Sequence, residues 1–166
     1  MPYLTFNYIS ILSDDIVKSL CRAPLFWSSS ADKPLLLSWQ GLSFELVCLE
    51  HVEQIKRALQ IGGVHSLNYA WRCEHPQDAA ERGAQIDLVI DRDDGVVNLC
   101  EMKFSEKEYG ITADDDASMR NKRVAFKRET KSRKAVHFTY VTTFGLARNR
   151  YAGEVQSEVV LDDLFK

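Results

Sequence analysis

Three charged residues lie in two apolar stretches of the chain: Asp87 in the first, and Glu101 with Lys103 in the second. Charged side chains in apolar strands are costly to bury unless they pair with one another or bind a metal. Carboxylate oxygens are the ligands that Mg²⁺ prefers, and an ammonium group neutralises charge that develops on a phosphate. These residue types therefore predict a Mg²⁺ or Mn²⁺ site built for phosphodiester hydrolysis.

The two apolar stretches, residues 83–91 and 96–104, are typical of β-strands joined by a tight turn. Asp94-Gly95 between them is a strong turn signal. With Gly95 in the left-handed position of a three-residue loop, Arg92 pairs with Val96. This register is a specific prediction, because a shift of one residue would turn every side chain to the opposite face of the hairpin.

Counted back along that register, Asp87 lies opposite Glu101, and Lys103 shares the face of Glu101. Asp87 and Glu101 are therefore the predicted catalytic metal ligands, and the backbone carbonyl of Met102 is the predicted third oxygen. Lys103 is the predicted catalytic cation beside the attacked phosphate. A plain ion pair among these residues on a solvated sheet face is the alternative.

A fourth candidate, Glu45, lies in a helix predicted from Gly41 to Gln60. The apolar residues that cluster on one side of this helix are Leu42, Leu49, Val52 and Leu59. Glu45 falls in the middle of that stripe, where a bare carboxylate needs a partner or a cation. We expect it to bind a second metal ion or to hold a metal-bound water. The alternative is a helix ion pair with Arg57.

The bulk composition excludes several classes of protein. A chain of 166 residues with 45% hydrophobic residues is long and apolar enough to bury a core, so disorder is excluded. The net charge of −3 gives no global basic field for nucleic acid. The four cysteines lack a paired metal spacing, so a zinc site is not expected. With no membrane-length apolar run and no signal peptide, the expected location is cytoplasmic.

The predicted elements follow the order helix, three strands, helix, strand, with a terminal hairpin or a strand and a short turn in residues 149–166. This order predicts an α/β fold, a mixed central sheet flanked by helices. Residues 1–34 show no clear hydrophobic period and are interpreted as an N-terminal extension or the remnant of a preceding module. Residues 35–166 are predicted to form the domain with this α/β fold.

The second predicted helix carries a series of lysines and arginines in which Glu129 is the one acidic residue. It is a candidate nucleic-acid surface, since lysine and arginine bind phosphates. The alternative is an ordinary solvated helix face. The predicted nucleic-acid-binding residues in this run are Arg120, Lys122, Arg123, Lys127 and Arg128.

At these positions the sequence resembles the PD-(D/E)xK nuclease superfamily. Asp87 matches the first acidic position, and Glu101-Met102-Lys103 matches the E-x-K element. Glu45 matches the acid of the first core helix, and Ile86 stands where the family pattern has proline. The resemblance implies a restriction-endonuclease-like αβββαβ core over residues 35–166, in keeping with the predicted element order.

More narrowly, residues 84–90, 99–103 and 141–146 are similar to the C-terminal nuclease-like domain of certain bacterial AAA-type ATPases. The chain has no Gly-x-x-x-x-Gly-Lys-Ser/Thr loop, so any ATPase would be a partner in trans. Gln85 is expected to position a metal-bound water, and the family implies a possible homodimer.

The expected function is a magnesium-dependent nuclease acting on DNA. One alternative is a non-catalytic module that binds nucleic acid or protein within an ATPase-associated system. Another is an effector that cleaves RNA.

Overall fold

The structure is a computed structural model that describes residues 33–74 and 83–166. The chain divides between Ser38 and Trp39, and the core and the site described below belong to Trp39–Lys166. The N-terminal extension predicted for residues 1–34 lies almost wholly outside the described residues, so the predicted domain boundary stays a prediction. In the described ranges, no helix is long and apolar enough to cross a membrane.

The elements follow the predicted order, including a strand and a short turn at the end, but two helices precede the first strand where one was predicted. The helices are α1 (Lys33–Glu50), α2 (Val52–Ala58) and α3 (Ala113–Thr130). The strands are β1 (Ser66–Cys73), β2 (Ala84–Arg92), β3 (Val96–Lys103), β4 (Ala135–Thr142) and β5 (Ser157–Val160). Single 3-10 turns cover Ala152–Glu154 and Leu161–Phe165.

The five strands form one mixed sheet in the order β1-β2-β3-β4-β5. The first three strands are antiparallel, whereas β3, β4 and β5 run parallel, and α3 is the crossover between β3 and β4. Residues 97–102 of the central strand β3 are all buried, because helices cover both faces of the sheet. The predicted α/β fold is therefore confirmed, while the restriction-endonuclease-like αβββαβ core stays a prediction.

Two apolar layers hold the helices against the sheet. The layer beneath α1 and α2 contains Phe44, Cys48, Ile55, Leu88, Ile90, Cys100 and Met102. The layer beneath α3 contains Ile86, Val89, Val97, Leu99, Met119, Phe126, Phe138 and Tyr140. Fully burying each large side chain contributes about 1.5–3 kcal/mol. The sheet is thus fixed from both sides, and its central strands are rigid supports for polar side chains.

The apolar stripe predicted for residues 41–60 is confirmed in part, because Leu49, Val52 and Leu59 pack against the core whereas Leu42 does not. The chain breaks at His51 between α1 and α2, so one helical projection cannot hold its phase across the whole segment. Leu42 is exposed, whereas Phe44 is buried. Glu45 therefore lies beside the buried face of α1, half-buried, rather than at the centre of an apolar stripe.

The amino end of α3 is fixed by a capping box. The Thr112 hydroxyl accepts a hydrogen bond from the Asp115 backbone N–H at 3.1 Å. In return, the Asp115 carboxylate accepts one from the Thr112 backbone N–H at 2.9 Å. The two hydrogen bonds satisfy backbone N–H groups that the first turn of the helix would otherwise leave without partners. It sets where the later turns of α3 meet the sheet.

Candidate functional site

The hairpin of β2 and β3 has the predicted register. Its pairs run from Leu88 with Cys100 to Asp91 with Val97, the offset expected from the turn. Gly95 has φ +86°, the left-handed conformation that the turn requires. The register prediction is therefore confirmed for these pairs, which end one residue short of Asp87 and Glu101.

A β-bulge in β2 changes how Asp87 is presented. Tyr69 of β1 pairs with Val89, but Trp71 pairs with Ile86, so Asp87 and the residue after it stand opposite a single residue of β1. Ile86 and Val89 both join the core beneath α3 as a result, which strict alternation would forbid. The extra residue re-aims the strand at the position of the first acid.

The Asp87 side chain is tied to the neighbouring strand. Its Oδ2 accepts a hydrogen bond from the Met102 backbone N–H at 2.9 Å. Asp87 is half-buried, next to the β3 residues that carry the E-x-K pattern. The bulge and this hydrogen bond together hold the first predicted ligand beside the second.

Glu101 is buried and faces two ammonium groups. The Nζ of Lys122, from α3, donates a hydrogen bond to Oε1 of Glu101. The Nζ of Lys103 lies 3.6 Å from Oε2. The side chain of Glu101 is 7% exposed, against 35% for Lys103, so the lysine reaches from the carboxylate toward solvent.

Burial and neighbouring carboxylates raise the proton affinity of Glu101 and of Glu45. Burial raises the pKa of Glu101, the negative charge of Asp87 raises it further, and Lys122 and Lys103 oppose this. Burial also raises the pKa of Glu45 to about 7, with Asp87 as the next cause and Glu101 a smaller one, while Lys103 and Lys122 lower it. Glu45 therefore lies within electrostatic range of Asp87, Lys103 and Glu101, while Lys103 and Glu101 form a direct ion pair.

Two tyrosines border this cluster on the α3 side. Tyr140 is the parallel-register partner of Glu101, and its ring stacks with that of Tyr109 at a centroid distance of 6.1 Å. The Tyr109 hydroxyl donates to Asp115 at 3.0 Å. Burial raises the pKa of Tyr140, and the charge of Glu101 raises it further. The aromatic wall excludes water from one side of Glu101.

The predicted basic run does not form one surface. Arg120, Lys127 and Arg128 are exposed, and Arg123 lies over an aromatic ring at 5.3 Å. The Lys122 side chain is only 15% exposed and turns toward Glu101. Lys122 therefore does not lie on the exposed basic face that was predicted for it. Contact of the other four residues with nucleic acid stays a prediction.

A signal for the inward position of Lys122 was present in the sequence. Lys122 lies three residues after Met119 and four before Phe126, both of which are buried. This is the spacing of a single helix face. A cation on an apolar face needs a partner as much as a carboxylate does, and Glu101 is that partner.

The fit of these residues to a metal ion is mixed. The carboxylate oxygens of Asp87, Glu101 and Glu45 are the right donors for Mg²⁺. Across residues 33–74 and 83–166, however, no three His, Cys, Asp or Glu side chains are arranged to hold an ion. Glu101 is paired with two lysines instead. Binding a divalent cation here would require Glu101 to exchange an ammonium group for the metal.

Two further predicted site residues stay predictions. Gln85 is an exposed residue of β2, and a role in positioning water is not tested by its location. Met102 is buried, and its N–H bonds to Asp87. Its carbonyl as a metal ligand is likewise untested.

Comparison with known proteins gives no family for the chain. No family model and no curated protein matches it. The chain is similar to a solved structure described as "Crystal Structure of Protein of Unknown Function AF1548", at 15% identity and a TM-score of 0.44. That similarity covers 68% of this chain and 56% of the other, so the chain spans little more than half of the protein it matches.

Proposed function

We propose that this chain is a metal-dependent nuclease domain of the PD-(D/E)xK type that hydrolyses phosphodiester bonds, with DNA as its substrate. The observation that carries the proposal is the convergence of Glu45, Asp87 and Glu101 with Lys103. Burial and the neighbouring carboxylates raise the pKa of Glu45 to about 7, a sign of crowded negative charge. A divalent cation relieves such crowding.

In this proposal Asp87 and Glu101 hold Mg²⁺ or Mn²⁺, with Glu45 and the Met102 carbonyl as further ligands. The ion, when bound, supplies polarisation of the phosphate and a lower pKa for the attacking water. Lys103 is the exposed cation of the cluster and neutralises charge on the phosphate.

Glu45 has a second role in the proposal. With the ion bound, Glu45 would be ionised and would hold a metal-bound water. Gln85 orients that water.

Cleavage assays with side chains of matched shape test this function. Asp87→Asn, Glu101→Gln and Lys103→Met are each expected to slow Mg²⁺- or Mn²⁺-dependent cleavage of plasmid and labelled oligonucleotides by about 100-fold or more. The matched control is Asp93→Asn, since Asp93 is 67% exposed at the hairpin turn, where it bonds to His65. Cleavage that all three site variants retain at the control's rate would refute the proposal.

A second candidate is a non-catalytic module that binds nucleic acid or a partner protein, including an ATPase supplied in trans. The pairing of Glu101 with both Lys122 and Lys103 favours it, because a carboxylate neutralised in this way needs no metal. Salt-dependent DNA binding without cleavage, unaffected by Glu101→Gln, would support this candidate over the nuclease.

A further inference from the structure

Lys122 is the charged residue of the cluster that the proposed function leaves without a role. Its ammonium group donates to Oε1 of Glu101, and the two side chains are 15% and 7% exposed. Lys103 approaches the other oxygen of the same carboxylate. Both oxygens of a predicted metal ligand are therefore engaged by cations that belong to the protein.

This pairing has a clear physical reason. A buried carboxylate without a counter-ion is strongly unfavourable, and Lys122 supplies the charge that Glu101 needs in the absence of metal. A divalent cation would have to coordinate the same carboxylate. An ammonium group hydrogen-bonded to Oε1 repels the incoming ion and occupies one of the lone-pair sites of the carboxylate.

We propose that Lys122 is an internal counter-ion that competes with the divalent cation for Glu101. This inference rests on the proposed function, since it requires the acids to form a metal site. A divalent cation bound by Glu101 would displace the Lys122 ammonium from Oε1, and the ammonium would return once the ion was removed. Lys122 thus acts through Glu101 as a positioning residue.

The competition predicts two effects of opposite sign for Lys122→Met. The variant should be less stable than the wild type without metal, because Glu101 loses its closest cation. It should also bind the divalent cation more tightly, by about ten- to a hundredfold, the range expected when a charge-assisted hydrogen bond no longer has to be broken. A purely structural role for Lys122 would lower stability without tightening metal binding.

Calorimetric titration with Mn²⁺ alone, near neutral pH, measures the affinity, and thermal unfolding in EDTA measures the metal-free stability. The proteins are the wild type, Lys122→Met, Lys122→Arg and a control, Lys107→Met, which removes the same charge from an exposed position. Tighter Mn²⁺ binding combined with a lower unfolding temperature in EDTA, found in Lys122→Met and absent from the control, would support the inference.

Lys122→Arg keeps the test decisive should Lys122→Met fail to fold. A guanidinium group holds a carboxylate through two hydrogen bonds, so this variant is expected to bind Mn²⁺ more weakly than the wild type. Equal or tighter binding would overturn the inference. Equal affinities for the wild type and Lys122→Met would also overturn it, and the proposed nuclease function would survive. Mn²⁺ binding by none of the proteins would overturn both.

Discussion

The raised pKa of Glu45 makes the stability of the protein depend on pH, and Glu45→Gln should remove that dependence. A carboxyl group whose pKa is 4.5 in the unfolded chain and about 7 in the fold binds its proton more tightly when folded. Stability is therefore lost as pH rises from about 4.5 through about 7, where the folded protein must ionise a half-buried carboxylate. Glutamine has the shape of the protonated acid and stays neutral.

The size of the effect follows from the two pKa values. Each tenfold difference in proton affinity is worth about 1.4 kcal/mol, so the full difference corresponds to about 3 kcal/mol. Glu45 is only half-buried, and solvent screening reduces this to about 1.5 kcal/mol. We expect Glu45→Gln to match the wild type near pH 5 and to be more stable by about that amount near pH 8.

Urea unfolding in EDTA, followed by circular dichroism at several pH values, measures this difference. The matched control is Glu50→Gln, which removes an exposed carboxylate from the same helix. Repeating the series with Mn²⁺ should remove the advantage of Glu45→Gln, because a bound cation stabilises the ionised form. A stability gain that is the same at both ends of the pH range would refute the electrostatic reasoning.

Two further predictions concern the elements that position the site. Thr112→Ala should lower the free energy of unfolding by about 1 kcal/mol, because α3 loses its cap, and Thr112→Ser should recover most of it; both are measured by urea denaturation. Gly95→Ala should cost about 1–2 kcal/mol, because the left-handed φ of +86° strains a residue that carries a Cβ atom. Gly110→Ala is its control, since an added Cβ there meets nothing within 4 Å, and equal losses from the two variants in the same assay would contradict the role assigned to the turn.

The hairpin shows which part of the site the sequence could predict. Asp94-Gly95 defines the turn, the turn defines the register, and the register predicts that the E-x-K residues approach Asp87. The turn and the register depend only on residues that are close in sequence, so packing elsewhere in the protein does not change them. The structure agrees with it pair by pair from Leu88 to Asp91.

The β-bulge in β2 and the break between α1 and α2 were not predicted from the sequence. Two residues of β2 oppose one of β1, and no local sequence pattern predicts this irregularity. The break at His51 changes the helical phase between α1 and α2, and Leu42 lies on the exposed side of α1. Lys122 could have been found, because it shares the spacing of Met119 and Phe126.

The placement of Glu45 and Lys122 has a consequence for motion within the molecule. Glu45 comes from α1 and Lys122 from α3, so the cluster joins the two layers that sandwich the sheet. Any fluctuation that moves α1 or α3 away from the sheet also separates the charge of Glu45 or Lys122 from the other charges of the cluster. A ligand bound at this cluster would slow amide hydrogen exchange in α1 and α3 together, although three strands separate the two helices along the chain.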